Sequence, residues 1–313
     1  MINNQFAKDV DAGLSTFPKK LSSKYFYDDA GDKIFQKIMA MPSYYVTKAE
    51  YQVLEQRSDE IVAQLNVTNY LNIYELGAGD GTKTILLLKA LTKANINFTY
   101  YPIDISADVL DTCEDNVKAA LPSAKVEKLN YTYDEAMSQI HSEENETNLI
   151  VFLGSNLGNL YHSDAIAFLK KIQGNLGAKD WLMMGLDKMK NPATILAAYN
   201  DEDGITQGFN LNILHRMNNE LGGNFDVSKF THWPVYNPES GTCTSYLVSA
   251  EKQEVRVNGK TYTIAKAESI HTEIFQKYNR PIINWLCKMS GLTLEQIYTD
   301  EKEYFLECLV KRV

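Results

Sequence analysis

The stretch "YELGAGDGTKT", residues 74–84, places three glycines in five positions, with Glu75 two residues before the first of them. Its flanks decide what kind of turn this is. "LNIYELG" (71–77) reads as a short buried strand, and "TKTILLLKALTKA" (82–94) reads as a helix. In open α/β sheets ligands sit beyond the carboxyl ends of the strands, where a glycine turn between strand and helix lets backbone approach a ligand closely.

Working outward, the rhythm repeats. "NFTYYPIDIS" (97–106) is a second strand, followed by the helical "ADVLDTCEDNVKAAL" (107–121), and "AKVEKLN" (124–130) is a third strand. "NLIVFLGSNLGNL" (148–160) begins as a fourth strand and breaks at Gly154. "SDAIAFLKKIQGNL" (163–176) predicts a helix capped by Ser163, and "WLMMGLD" (181–187) is a fifth strand. Strands that are apolar throughout and alternate with helices imply a parallel sheet covered on both faces, the doubly wound, Rossmann-like α/β class.

Two regions break the rhythm. Residues 1–60 read as helical and rich in tyrosines and acids. Residues 190–277 run from helical stretches around "PATILAAYN" and "GFNLNILHRMNNEL" into the strands of "TCTSYLVSAEKQEVRVNGKTYTI", where Asn258-Gly259 predicts a type I′ hairpin. A helix near 281–290 and a strand at 304–310 return to the sheet. The expected organisation is a sheet domain of residues 52–188 and 278–313, and a smaller α+β domain, built from the N-terminus and an insertion, of residues 1–51 and 189–277.

Charge and composition narrow the function. The net charge of −9 argues against nucleic acid and anionic membrane as partners, because phosphate binding needs clustered Lys and Arg. A small-molecule substrate fits better. The cysteines at 113, 243, 287 and 308 form no C-x-x-C pair, and His141, His162, His215, His232 and His271 show no H-x-x-H spacing, so no metal site is expected. Isolated thiols, an N-terminus without a basic-then-apolar layout and the lack of a long apolar run predict a cytoplasmic protein. A monomer is expected.

The glycine turn can be tested against three ligands. A P-loop needs G-x-x-x-x-G-K-[ST]; Lys83 follows Gly81 by two, so the pattern fails. In a dinucleotide fingerprint Gly77 and Gly79 fit the first two glycines, but Thr82 stands at the third; a nicotinamide-dependent oxidoreductase stays open as an alternative. The third pattern is E-x-G-x-G, Glu75, Gly77 and Gly79, with an acid at the end of the second strand, Asp104, able to accept hydrogen bonds from both hydroxyls of a ribose. This arrangement resembles the class I S-adenosylmethionine-dependent methyltransferases, whose cofactor carries a sulfonium and no phosphate.

More specific stretches follow in order: "KYFYDDAGDKIFQKIMAMPSYYVTKAE" (24–50), "ELGAGDGTKT" (75–84), "YPIDISADVL" (101–110), "VFLGSNLGNL" (151–160), "AAYNDEDGITQGFN" (197–210) and "NNELGGNFD" (218–226). Together they resemble the histidine-specific N-methyltransferase family, typified by the ergothioneine-pathway enzyme that methylates the α-amine of L-histidine. The resemblance implies a class I methyltransferase domain with a smaller substrate-binding domain. It implies S-adenosylmethionine against Gly77, Gly79, Lys83 and Asp104, with Thr132 and Tyr133 near the adenine. It implies an amino-acid site of Tyr44, Gly154, Asn159, Tyr199 and Glu273, in which Tyr44 and Asn159 orient the reacting amine.

Three positions depart from the family pattern. A Gly-Asp-Phe stretch at the third strand end corresponds to Tyr131, Thr132 and Tyr133, a serine two residues after the glutamate to Phe275, and a ring-packing methionine to Ser245. A substrate with a different N–H-bearing ring, such as a tryptophan derivative, stays compatible with Glu273, and the departures at Thr132, Ser245 and Phe275 leave open a protein that keeps the cofactor fold without turnover.

Overall fold

The computed structural model describes residues 4–140 and 146–313; His141 lies outside the described residues. In chain order, residues up to 45 contribute α1 (Asn4–Ser15), β1 (Lys19–Lys20) and α2 (Asp29–Ala40). Residues 46–189 contribute α3 (Val46–Leu65), β2 (Tyr70–Leu76), α4 (Thr84–Lys93), β3 (Asn97–Ile103), α5 (Ala107–Ala120) and β4 (Lys125–Val126). They continue with α6 (Tyr133–Met137), β5 (Glu146–Phe152), α7 (His162–Gly174) and β6 (Trp181–Asp187). Next come α8 (Pro192–Tyr199), α9 (Ile205–Glu220), β7 (Phe230–Asn237), β8 (Thr242–Ser249), β9 (Gln253–Val257), β10 (Lys260–Ile264) and β11 (Ser269–Gln276). The chain closes with α10 (Arg280–Met289), β12 (Leu292–Thr299) and β13 (Phe305–Arg312).

The chain divides into two compact units, one of residues 46–189 and 276–313, the other of residues 1–45 and 190–275. The sequence placed the first boundary at 51/52, inside α3. That helix runs unbroken from Val46 and buries Val53, Leu54, Ile61 and Leu65, so it stays whole within the sheet unit.

The sheet unit has seven strands in the order β12-β13-β6-β5-β2-β3-β4. β2 lies parallel to β3 on one side and to β5 on the other, so the strand order reverses at β2/β5. The carboxyl ends at such a switch point form the ligand crevice of a doubly wound sheet. Every residue of β6 is buried, as continuous apolar sequence in a covered parallel strand requires. The apolar core here includes Leu76, Ile103, Ile150, Phe152, Leu182 and Val310.

Local expectations meet corrections in this unit. The third strand shrinks to Lys125–Val126, with an isolated bridge between Ile103 and Leu129. Helix α7 starts at His162 after Tyr161, with no side-chain cap; Ser163 lies inside it. Strand β12 was not foreseen, because its burial alternates only weakly and three of its residues are exposed. No helix among the described residues is long and apolar enough to cross a membrane.

The second unit holds a four-stranded sheet, β1-β11-β8-β7, and the β9–β10 hairpin. Asn258 and Gly259 turn that hairpin with φ of 48° and 79°, the type I′ geometry their pairing predicts. Its core joins Phe6, Val10 and Leu14 of α1 to Phe209, Ile213 and Met217 of α9 and to Leu247 and Ile270 of the sheet. Asp28 caps α2 by accepting from Gly31 N–H at 2.8 Å.

Candidate active site

The glycine turn opens at the end of β2. Gly77, Gly79 and Gly81 have φ of 73°, 56° and 73°, a left-handed run that side chains with a Cβ resist. Ile103 O accepts from Gly77 N–H at 2.8 Å and from Ala78 N–H at 3.1 Å, which sets the next residue, Asp104, beside the turn. Asp104 Oδ1 accepts from Ser106 N–H at 3.1 Å. A Cβ on Gly77 would come within 2.7 Å of the Tyr133 hydroxyl, whereas one on Gly79 would meet nothing within 4 Å. Open space over a left-handed glycine, next to a strand-end carboxylate at the switch point, fits the amino-acid and ribose parts of S-adenosylmethionine.

Beneath the turn, Glu75 is buried and accepts from the Thr84 hydroxyl at 2.7 Å and from Tyr100. Burial pushes its carboxyl up, the two hydroxyls offset part of that, and it titrates at about 7. The acid of the E-x-G-x-G pattern therefore locks the strand to the helix start, and its oxygens are spent inside the unit.

Two of the predicted cofactor residues have protein partners close by. The Lys83 ammonium pairs with Glu50 of α3. Burial works against the charged ammonium, and Glu50 outweighs it, so Lys83 titrates above the usual lysine range. Thr132 is exposed, and its hydroxyl and N–H both face Glu135 in a capping box that starts α6. The neighbouring Tyr133 is half-buried against Phe152 and Phe168, with ring centroids at 5.6 and 5.9 Å.

A second loop opens at the end of β5, on the other side of the switch point. Gly154 and Asn159 are exposed there, and Ser155 has φ of 56°, a strained value for a residue other than glycine. Three contacts hold the loop. Gly154 N–H donates to Glu50 Oε1 at 2.5 Å, Asp187 N–H donates to Ser155 Oγ at 3.0 Å, and Gly158 lies so close to Gln276 that a Cβ would reach its carbonyl at 2.9 Å. Asn156 was missed by sequence reasoning. Its amide would touch a Cβ on Gly77 at 3.6 Å and one on Gly154 at 3.4 Å, so it links the two loops.

The other unit gathers a second group of the predicted residues. Tyr44 and Tyr199 meet edge to face at 6.4 Å, and Phe275 packs on Tyr199 at 4.6 Å. Asn191 caps α8 and Pro192 follows it, which fixes the helix that ends at Tyr199. Glu273 is buried on β11, two residues before Phe275 and so on the same face of the strand. Ser245 is not on that face. Its hydroxyl lies 3.1 Å from His232 Nε2, it is fully buried, and its carbonyl accepts from the Thr272 hydroxyl, which also donates to Asn210 of α9. Alternation along β8 instead gives Thr244 and Tyr246 to the other face, where Tyr246 meets His271 edge-on at 5.5 Å. Burial pushes His232 down to about 4, so its ring is neutral.

A doubly wound sheet, a glycine turn without the P-loop pattern and an acid at the neighbouring strand end define a class I S-adenosylmethionine-dependent methyltransferase. The chain belongs to the histidine-specific, S-adenosylmethionine-dependent methyltransferase family, whose sequence model matches residues 6–312. It is 32% identical over 295 residues to histidine N-alpha-methyltransferase of Mycolicibacterium smegmatis, covering 94% of this chain and 90% of that protein. It is 31% identical to ergothioneine biosynthesis protein 1 of Neurospora crassa, covering 94% of this chain and 33% of that longer protein. It is 28% identical to 4-dimethylallyltryptophan N-methyltransferase of Epichloe festucae var. lolii, covering 61% of this chain and 57% of that protein. The chain is an S-adenosylmethionine-dependent N-methyltransferase acting on a small molecule.

Proposed function

We propose that the protein methylates the α-amino nitrogen of L-histidine. The observation that carries this is the pairing, at one switch point, of a left-handed glycine turn beside Asp104 with a braced loop that exposes Asn159. When bound, the cofactor supplies an electrophilic methyl on sulfur. Gly77 and Gly79 would admit its amino-acid end, Asp104 would hold the ribose, and Tyr133 would line its adenine side.

Transfer to nitrogen is an in-line displacement, so the protein's main contribution is placement, worth up to roughly 7–11 kcal/mol in favourable cases. The acceptor needs a free lone pair, yet an α-amine of pKa about 8 is mostly protonated at neutral pH. A carboxylate against it would favour the charged form further. Asn159 and Tyr44 are neutral, and they would orient the amine without that penalty. Asn159 and Tyr199 would hold the substrate carboxylate, with Gly154 in the same loop as Asn159. Glu273 would accept the imidazole N–H in a charge-assisted bond.

One observation favours a second reading, a larger ring such as an indole: Phe275, two residues from Glu273, packs tilted against Tyr199 and the pair presents a broad aromatic surface. The experiment is incubation of the protein with labelled S-adenosylmethionine and each of the twenty amino acids, plus prenylated tryptophan, read by mass spectrometry. Histidine gaining methyl groups on its α-nitrogen supports the first reading. Gain on tryptophan compounds alone supports the second, and no gain on any amine refutes both. A monomer completes the proposal, and sedimentation tests it.

A further inference from the structure

Beyond β5 the chain passes through Ser155 into one turn of 3-10 helix, Asn156–Asn159. Ser155 is held at a φ of 56° by two contacts: its Oγ accepts from Asp187 N–H at 3.0 Å, and its carbonyl accepts from Gly158 N–H at 2.8 Å. Backbone strain maintained by its surroundings is common where a chain presents a side chain to a ligand. The residue presented next is Asn156. In a 3-10 helix side chains three apart eclipse one another, so Asn156 stands on the same face as Asn159, one turn nearer the strand end.

Asn156 also faces the glycine turn. Its Nδ2 would lie 3.6 Å from a Cβ on Gly77 and 3.4 Å from one on Gly154, with Oδ1 at 3.6 Å from the latter. The side chain is only partly buried, and its amide has no hydrogen-bond partner among the described residues. An uncommitted amide there offers a donor and an acceptor between the two loops, where a methyl donor over Gly77 and an amine beside Gly154 would meet.

We propose that Asn156 contacts the reacting amine, its Oδ1 accepting one N–H so that the nitrogen lone pair turns towards the glycine turn. The inference rests on the reading of the protein as an α-amine methyltransferase. In the transfer the nitrogen–carbon bond forms as the carbon–sulfur bond breaks, sulfur keeps the electron pair of that bond, and the methylated ammonium releases its proton to water. The amine must arrive unprotonated. A neutral acceptor at 156 allows that, whereas a carboxylate in the same place would hold the ammonium form.

Charged and titratable groups surround this crevice. Glu75 of β2, Asp104 after β3 and Tyr133 of α6 lie about the glycine turn, and Glu50 of α3 accepts from the Gly154 amide with Lys83 at its other oxygen. Glu307 of β13 is buried beside Glu50; both carboxyls approach Gly185, which pairs with Glu307 across β6 and β13. Neither Glu307 oxygen has a hydrogen-bond partner among the described residues, and burial pushes this carboxyl well above the usual range, which leaves it neutral. All of these groups stay in place when only position 156 is changed, so a difference is read from that position.

The test compares wild type with Asn156→Leu and Asn156→Asp, each first shown to fold by thermal melting. Calorimetry measures histidine affinity at saturating S-adenosylhomocysteine. The pH dependence of kcat, with histidine or whichever amino acid wild type methylates, reports the amine in the bound complex. Asn156→Leu should weaken the amino acid about fivefold, the worth of one hydrogen bond, with S-adenosylhomocysteine affinity within about threefold of wild type. Asn156→Asp should move the acid limb of kcat up by about one pH unit or more, while Asn156→Leu leaves that limb in place. An Asn156→Asp limb that does not move overturns the proposal, and so does an Asn156→Leu protein that binds the amino acid within about twofold of wild type. A wild type that methylates no amine overturns the function above and this inference with it. A wild type that methylates histidine, with both variants unaltered, overturns this inference alone.

Discussion

Alanine at Gly77 and at Gly79 separates the structural demand of the glycine turn from its proposed ligand. Both residues are left-handed, with φ of 73° and 56°, and alanine there costs about 1–2 kcal/mol in backbone strain. At Gly77 a second cost is added. The new Cβ would come within 2.7 Å of the Tyr133 hydroxyl, and the Tyr133 ring is held by Phe152 and Phe168. Overpacking of this kind costs about 1–3 kcal/mol, which brings the total for Gly77→Ala to roughly 2–5 kcal/mol. At Gly79 nothing lies within 4 Å, so backbone strain is the whole cost. Since 1 kcal/mol moves the midpoint of a unit this size by about 2–4 °C, thermal melting should rank Gly77→Ala clearly below Gly79→Ala and both below wild type. Calorimetry with S-adenosylhomocysteine should give a different pattern. Gly79→Ala, although the milder lesion, puts a methyl into the space assigned to the cofactor and should weaken binding at least tenfold, about 1.4 kcal/mol. A folded Gly79→Ala protein that binds S-adenosylhomocysteine within twofold of wild type would refute the placement of the cofactor over this turn.

Three other outcomes are expected. Glu273→Ala should weaken histidine binding by about 1.5–3 kcal/mol, the value of a charged hydrogen bond, with S-adenosylhomocysteine affinity unchanged; isothermal titration showing equal histidine affinity would remove Glu273 from the ring site. Asp104→Ala should weaken S-adenosylhomocysteine by about 1.5–3 kcal/mol per ribose bond lost, and equal affinities in the two proteins would count against the ribose assignment. Glu307→Gln should stabilise the protein with a definite pH dependence. The folded carboxyl titrates well above the unfolded one. Between those two values the native state holds the extra proton, so wild-type stability falls as pH rises through the unfolded value of about 4.3 and levels off once Glu307 itself ionises. The melting gap between Glu307→Gln and wild type should be near zero at pH 4 and grow towards pH 8; a gap independent of pH would refute a buried neutral acid.

The sequence alone determined the doubly wound sheet, the glycine turn with its acid at 104, and the hairpin at Asn258-Gly259, because strand alternation, left-handed glycines and turn chemistry are local properties. Tyr44, Tyr199, Asn159 and Glu273 entered through the chain's resemblance to the histidine-specific methyltransferase family, position by position. What it could not supply is anything fixed by strand register or by contacts between distant segments. Ser245 and Thr244 differ by one position, and only the folded sheet shows that Ser245 shares a face with His232 while Tyr246 lies with His271 on the face of Glu273. Thr132 reads as a free hydroxyl until Glu135 is seen to occupy it. Glu50, Lys83, Gly154, Gly185 and Glu307 come from five separate places in the chain. The tertiary structure alone decided that they meet, because an ammonium and an amide find their acceptor through space, and no local pattern encodes which carboxylate that will be.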